Sequence, residues 1–357
     1  MQKYRNRIIA GLAIGFVIYL GLALLVNTEE LIENLRVYPW ILLLPVILLK
    51  FVSWFFRFLE WHYFLGVIDA QDKISIFDSA VLFISGFTMA VSPGKVAEML
   101  KAVILKNKTG VPIARSAPVV VAERVVDGLA VIILAFLALM LAGDAIDLGE
   151  FRYMIVVSTA LLVAGLIIVQ IKPLAYFVLD RIIAHLPLIR RLHTSLVMFY
   201  ESSYDIFKLR HMIPTTGMGM VASIGDGIGL TIILAGFGAE ITWTLFLQAL
   251  VIICLSSAIG ALSGVPNGAG VTEISVSVML LAIVAPTQPA ITPAVAATAA
   301  LVEGFFHKWF RVFVGMLVAI IFRKRLFTPG IDEAIAEMEH DKAQRKAQFL
   351  ASSVGVK

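Results

Sequence analysis

The sequence predicts an all-α, polytopic membrane protein arranged as an inverted-topology repeat, with about six full spans and two re-entrant helical hairpins. Three observations carry that expectation. Of the 357 residues, 60% are hydrophobic and only 15% charged, with a mean hydropathy of +0.93; a soluble domain carries about 25% charged residues. Two apolar runs are each broken by proline, glycine and charge, at Ser92-Pro93-Gly94-Lys95-Val96-Ala97-Glu98 and at Gly264-Val265-Pro266-Asn267-Gly268-Ala269-Gly270-Val271-Thr272-Glu273. Acidic and basic clusters also alternate between the runs, and Lys and Arg near span ends set orientation.

Helices must supply the spanning structure, because about 20 apolar residues cross roughly 30 Å of hydrocarbon with the backbone bonded internally. Residues 8–26 follow Lys3, Arg5 and Arg7 and form the first run, read as an uncleaved span since no small-residue cleavage site follows. An acidic loop with Glu29, Glu30 and Glu33 comes next, and then a second run over 38–56. The third run, 74–91, ends at Pro93 and Gly94, and a short piece from Lys95 ends in Lys106 and Lys108. Residues 112–141 form a long run with Glu123, Arg124 and Asp127 in its first half. After acidic Asp144, Asp147 and Glu150, residues 153–171 span again. Residues 173–211 alternate basic with apolar and aromatic positions and read as amphipathic helix at the interface. Residues 213–237 carry Gly217, Gly219, Gly225, Gly227 and Gly229, expected to form one face for close helix approach. Residues 242–262 enter the second break, 271–285 leave it, and 293–322 form the last span before Arg323, Lys324 and Arg325.

Charge then decides topology. With the amino end inside, a full crossing by 74–91 would put Lys101, Lys106 and Lys108 outside and reverse every later loop against the positive-inside rule. A dip that turns at 92–98 restores the rule, and the same parity later requires a dip from the opposite side at 264–273. The expected divisions are a first repeat over 1–150, an inverted second repeat over 151–325, and a polar cytoplasmic tail over 326–357. Both termini are then cytoplasmic.

At each break a half-helix begins, whose free N–H groups and positive dipole end favour an anion. Pro93, Gly94, Lys95 and Glu98 at the first break and Pro266, Asn267, Gly268, Gly270 and Glu273 at the second are candidate substrate-binding residues. Intramembrane ionisable groups cost about 2.5–3.5 kcal/mol each on insertion scales and usually face a cavity. That adds Glu123, Arg124 and Asp127, and Glu303, His307 and Arg311, whose four-residue spacing predicts a shared helix face. Lys101 belongs with them; like Arg57 and Glu60 it stands near a span end, where an interfacial or ion-pair role fits equally well. Lys50 is expected to snorkel, and Asp226 is left without a role. The single cysteine, Cys254, excludes an internal disulfide and reads as packing. The histidines have no ligand spacing, no catalytic triad or nucleotide loop stands out, and basic residues form no nucleic-acid stripe. No catalytic residue, cofactor, metal or nucleic-acid partner is therefore expected.

At these motifs the chain resembles the transmembrane region of lysylphosphatidylglycerol synthases, a family also found as stand-alone proteins described as flippase-like. The matching patterns are Pro93, Gly94 and Glu98; Glu123, Arg124 and Asp127; and Pro266, Gly268, Gly270 and Glu273, with the resemblance covering about residues 8–325. Ala97 and Lys101 depart from a glycine and an arginine common in the family. The resemblance implies movement of an anionic phospholipid or lipid-linked intermediate across a bacterial or archaeal cytoplasmic membrane. The tail is too short for the soluble aminoacyl-transfer domain of fused members, so synthesis is not expected. The competing expectations are a membrane-embedded lipid-modifying transferase and a non-transporting partner of a lipid-synthesis complex. The bilayer and an anionic head group are the expected partners, with a second copy of the chain or a lipid-synthesis enzyme left open.

Overall fold

The computed structural model describes residues 28–89, 99–143 and 193–326, with isolated positions between 146 and 173. The run 8–26, the first break with Pro93, Gly94, Lys95 and Glu98, most of 153–192 and the tail from 327 lie outside the described residues.

Among the described residues the chain is all-helical, with no strand. Helix α1 is Thr28–Val37, α2 Leu43–Val67, α3 Ile76–Met89, α4 Met99–Thr109 and α5 Ile113–Ala142. Then come α6 His193–Ile206, α7 Leu209–Gly236, α8 Trp243–Leu262 and α9 Val271–Met279. The last long rod, α10, is Pro293–Ile321. Among the described residues five helices are long and apolar enough to cross a membrane: Trp40–Val67, which contains α2, and α5, α7, α8 and α10. The chain is an integral membrane protein. Trp243–Leu262, expected as one arm of a hairpin, has 20 residues and is by itself as long as a span.

Local signals explain several ends. Thr242 and Thr292 cap α8 and α10 by accepting from the backbone N–H of Leu245 and Val295, and Pro293 occupies the first turn of α10, where no amide hydrogen is missed. Helix α2 runs well past the expected end at 56. Arg57 and Glu60 end the apolar run without ending the helix, since its backbone bonds are internal and Trp61, Phe64 and Leu65 beyond them are buried. Glu60 is thus buried inside a helix and does not stand at its end.

Helices α2 and α7 pack along each other, α5 packs on α7 and α8, and the end of α10 packs on α3. Two apolar cores result. One gathers Val46, Leu134, Leu230 and much of α8, α9 and the start of α10; the other gathers Trp61, Phe64, Leu82, Ile104, Val126 and Met212. Between them each of α2, α5 and α7 changes character: Lys50, Ser53, Arg57 and Glu60 on α2, Glu123 and Asp127 on α5, and Ser223 and Asp226 on α7 form a polar belt.

The two ends of the bundle differ in charge. At one end Asp78 of α3 meets Lys108 of α4 and Arg325, and Lys208 and Arg210 open α7 nearby. At the other, the Glu240 amide donates to Gln288 Oε1, and Tyr38 packs on Phe237 below acidic α1. The expected single glycine face of α7 is not what forms. Gly219 meets α5, Gly225 and Gly229 meet α2, Gly227 meets Leu250 of α8, and Gly217 faces open space. A helix surrounded by three others uses small residues all round.

Candidate functional site: a charged belt between two apolar cores

Among the described residues, six helices (α2, α4, α5, α7, α9 and α10) deliver charges into the belt. A pocket of about 50 Å³ is lined by Arg57 and Glu60 of α2, Lys101 of α4, Glu123, Arg124 and Asp127 of α5, and Arg311 of α10, with Phe83, Gly86, Phe87 and Val120 as its apolar wall. Lys101 Nζ donates to both Glu123 oxygens, at 2.9 and 3.1 Å, and stands 3.9 Å over the Trp61 ring, which adds a cation–π attraction. Gly86 lets the Lys101 stem pass, since a Cβ there would lie 3.0 Å from it. Arg57 pairs with Asp127, whose other oxygen accepts from Arg124 at 3.3 Å. Glu60 is 2% exposed, and its Oε1 makes no hydrogen bond among the described residues. Among the described residues, Arg57, Lys101, Arg124 and Arg311 stand with Glu60, Glu123 and Asp127 around the pocket.

The second break forms one wall of the belt. Pro266–Gly268 is a single 3-10 turn, and Asn267, Gly268 and Gly270 have positive φ. That region suits glycine and is tolerated by asparagine. Glu273 sits in the first turn of α9, where its carboxylate accepts from the Gly270 amide at 2.8 Å and complements the helix dipole. Lys308 of α10 closes the turn, donating to Glu273 at 3.0 Å, to the Gly268 carbonyl at 3.1 Å and to Thr272. Arg311 donates to Asn267 Oδ1 at 2.6 Å, so the break and the pocket share one guanidinium.

A third cluster lies where α2, α7 and α10 meet. Lys50 Nζ donates to Asp226 Oδ1 at 2.9 Å and lies 3.3 Å from His307 Nδ1 and 3.7 Å from Glu303 Oε1. His307 Nδ1 is in turn 3.4 Å from Glu303 Oε1 and 3.7 Å from Asp226 Oδ2. Lys50 is 3% exposed, so it does not snorkel; its ammonium turns inward to a carboxylate, which recovers part of the cost of burial.

Glu303, His307 and Arg311 do not share one face, contrary to their spacing. A π-helical turn over Phe305–Trp309 interrupts α10, and an extra residue in that turn changes the register. Glu303 and His307 consequently face α2 and α7, while Lys308 and Arg311 face the second break. The structure thus gathers Lys101, Glu123, Arg124, Asp127, Asn267, Gly268, Gly270, Glu273, Glu303, His307 and Arg311 in one belt. Pro266 opens the same turn, and the first-break candidates lie outside the described residues. Five members of the belt were not among the residues assigned to binding: Arg57 and Glu60, read as interfacial or ion-paired, Lys50, read as snorkelling, Asp226, left without a role, and Lys308, read only as a charge of the last span. Their signal was present, since each is an ionisable residue inside an otherwise apolar helix.

Outside the spans, Asp78 is pulled two ways. Burial favours its neutral form, but Lys108, Ser75 and Arg325 outweigh that and hold the carboxyl below its ordinary range.

Comparison with protein families matches residues 8–315 of the chain to the lysylphosphatidylglycerol synthase TM region. A search of curated proteins returned no match.

Proposed function

The chain belongs to the lysylphosphatidylglycerol synthase TM-region family, and from that premise we propose that it moves an anionic phospholipid or lipid-linked intermediate across the cytoplasmic membrane. The observation that carries this reading is the pocket in the belt, where Arg57, Lys101, Arg124 and Arg311 converge between two apolar cores and Arg124, 47% exposed, stays reachable from outside. Ionisable groups gathered within membrane helices usually face a cavity and carry function. Arg57, Arg124 and Arg311 offer planar donors suited to a phosphate, while Lys101 is held by Glu123.

On this reading the halves 1–150 and 151–325 are inverted repeats and the two breaks are tips of re-entrant hairpins. Supporting this, the start of α3 and the end of α4 are joined by Asp78 and Lys108, and the loop before α8 and the turn that follows α9 by Glu240 and Gln288, at opposite ends of the bundle. The ion pairs also correspond with signs exchanged: Lys101 after the first break pairs with Glu123 on the following helix, and Glu273 after the second pairs with Lys308 on the following helix. Rocking of one half against the other would open the belt alternately to each side. The basic end would be cytoplasmic.

The test is reconstitution of the full chain in phosphatidylcholine vesicles carrying fluorescent phosphatidylglycerol or fluorescent phosphatidylcholine. Faster transbilayer movement of the anionic probe than of the zwitterionic one, lost in Arg124→Ala, is expected. A chemically altered lipid product would favour a transferase instead. Equal, slow movement of both probes with a folded chain would overturn the transport reading.

A further inference from the structure

We infer that Glu60 selects the head group: its unbonded carboxyl oxygen accepts from a hydroxyl beside the phosphate, so the lipid that fits the pocket is a phosphodiester with a free alcohol, as a glycerol or sugar head group provides. The anion's presence in the pocket rests on the flippase reading; the hydroxyl rests on Glu60's own surroundings.

The carboxyl stands out by what it lacks. Glu60 is 2% exposed and lines the pocket, yet its Oε1 makes no hydrogen bond among the described residues. The other two carboxylates of the wall are held: Lys101 Nζ donates to both Glu123 oxygens, and Asp127 accepts from Arg57 and Arg124. Glu303 Oε1 is also unbonded among the described residues, but it is no part of the pocket wall and lies 3.4 Å from His307 Nδ1 and 3.7 Å from Lys50 Nζ. A buried acceptor without a donor has given up its hydration for nothing, so its place in a pocket wall calls for a ligand that supplies the donor.

Helix spacing puts Glu60 where a head group would reach it. Arg57 and Glu60 stand three residues apart on α2 and share a face. Arg124, nearly half exposed, faces them from α5 across the same pocket. A phosphate drawn to the guanidinium groups of Arg57 and Arg124 therefore carries its ester substituent to the face of α2 that holds Glu60.

The number of groups says which donor fits. A hydroxyl donates one hydrogen, and among the described residues the pocket wall offers one buried carboxylate oxygen without a bond. An ammonium brings three N–H donors and a charge. It would need further acceptors, which Glu123 and Asp127, engaged by Lys101, Arg57 and Arg124, do not supply. An ethanolamine head group is thus a poorer fit than glycerol, and an ester with no hydroxyl leaves Oε1 without a donor. A site built to bond a substrate hydroxyl rejects the analogue that lacks it, because its own buried group then goes unpaired.

Binding tests this directly. Calorimetric titration of the full chain in detergent with dihexanoyl-phosphatidylglycerol and dihexanoyl-phosphatidylmethanol, two lipids of equal charge, should show about tenfold tighter binding of the first, as a hydrogen bond to a charged acceptor gives. Glu60→Leu should bring the ratio to one, and Glu60→Gln, which keeps an acceptor oxygen, should hold part of it; a side chain that only supported the fold would weaken both lipids alike. Glu60→Leu should also melt no lower than the parent, since it leaves no buried oxygen unbonded at that position. Equal affinity for the two lipids in the parent chain, binding of neither, a ratio that survives Glu60→Leu, or dihexanoyl-phosphatidylethanolamine binding as tightly as the glycerol lipid would each overturn the proposal. In the vesicles described above, fluorescent phosphatidylglycerol and phosphatidylmethanol crossing at one rate would remove the hydroxyl contact while the flippase reading stands. A Glu60-dependent binding ratio without transbilayer movement would remove the flippase reading and leave the contact.

Discussion

Each buried ion pair in the belt fixes a helix position, and its worth appears when one partner is removed. Lys101→Met leaves the Glu123 carboxylate buried without its ammonium, a change that costs about 3–5 kcal/mol. Lys101→Met combined with Glu123→Leu removes both charges and should recover most of that loss, because an apolar pair of similar volume needs no solvation. Thermal unfolding in detergent measures the difference, and the transport assay should rank the two variants alike if the charges also serve the substrate. Gly304 makes a sharper test at the second break. A Cβ there would lie 2.6 Å from Glu273 Oε1, so Gly304→Ala should push the carboxylate off Lys308 and lose about 1–3 kcal/mol. Sequence reading found Glu273 from its break but not its pairing with Lys308, because the π turn that aims Lys308 at Glu273 leaves no mark in the spacing of α10.

At the scale of the helix, packing distance decides what a glycine is for. Gly315 on α10 sits against α3, where a Cβ would approach the Ile84 carbonyl to 2.7 Å, whereas Gly217 on α7 has nothing within 4 Å. Gly315→Ala should therefore separate α3 from α10 and cost about 1–3 kcal/mol, while Gly217→Ala should stabilise by up to about 1 kcal/mol through helix propensity. Opposite signs in a melting experiment would confirm the contrast; equal effects would remove it. Composition predicted a glycine-lined α7 but not its neighbours, since a row of glycines in one helix does not say which of three helices each will touch. The Asp78 clamp ties the ends of α3, α4 and the Arg323–Leu326 turn. Its carboxyl is held below the ordinary range, so the stability it adds is present above the unfolded-state value of about 3.9 and disappears as pH falls through the folded-state value. Asp78→Asn should be less stable at neutral pH and should lose the acid-dependent part of the wild-type melting curve.

For the whole molecule, the sequence was legible where one dimension suffices: apolar runs became long helices, and the Pro-Asn-Gly break became a turn with positive φ. It was less legible where charge interrupts a run. Arg57 and Glu60 looked like the end of a span, yet a helix inside a protein bundle can carry charge as long as another helix supplies the counter-charge, which sequence order alone does not reveal. The same logic makes orientation testable. Lys106 lies on α4 near the Asp78 clamp, and Arg325 belongs to that clamp; Thr287 lies beside the Glu240–Gln288 contact at the other end of the bundle. If the two breaks are tips of hairpins entering from opposite leaflets, cysteines introduced at 106 and 325 should react with an impermeant maleimide from one side only, and a cysteine at 287 from the other. Both of the single-side labels are needed. If all three positions labelled from the same side, the Asp78 clamp and the Glu240–Gln288 contact would share one face of the membrane, and the mirrored halves, together with the alternating opening they permit, would have to be abandoned.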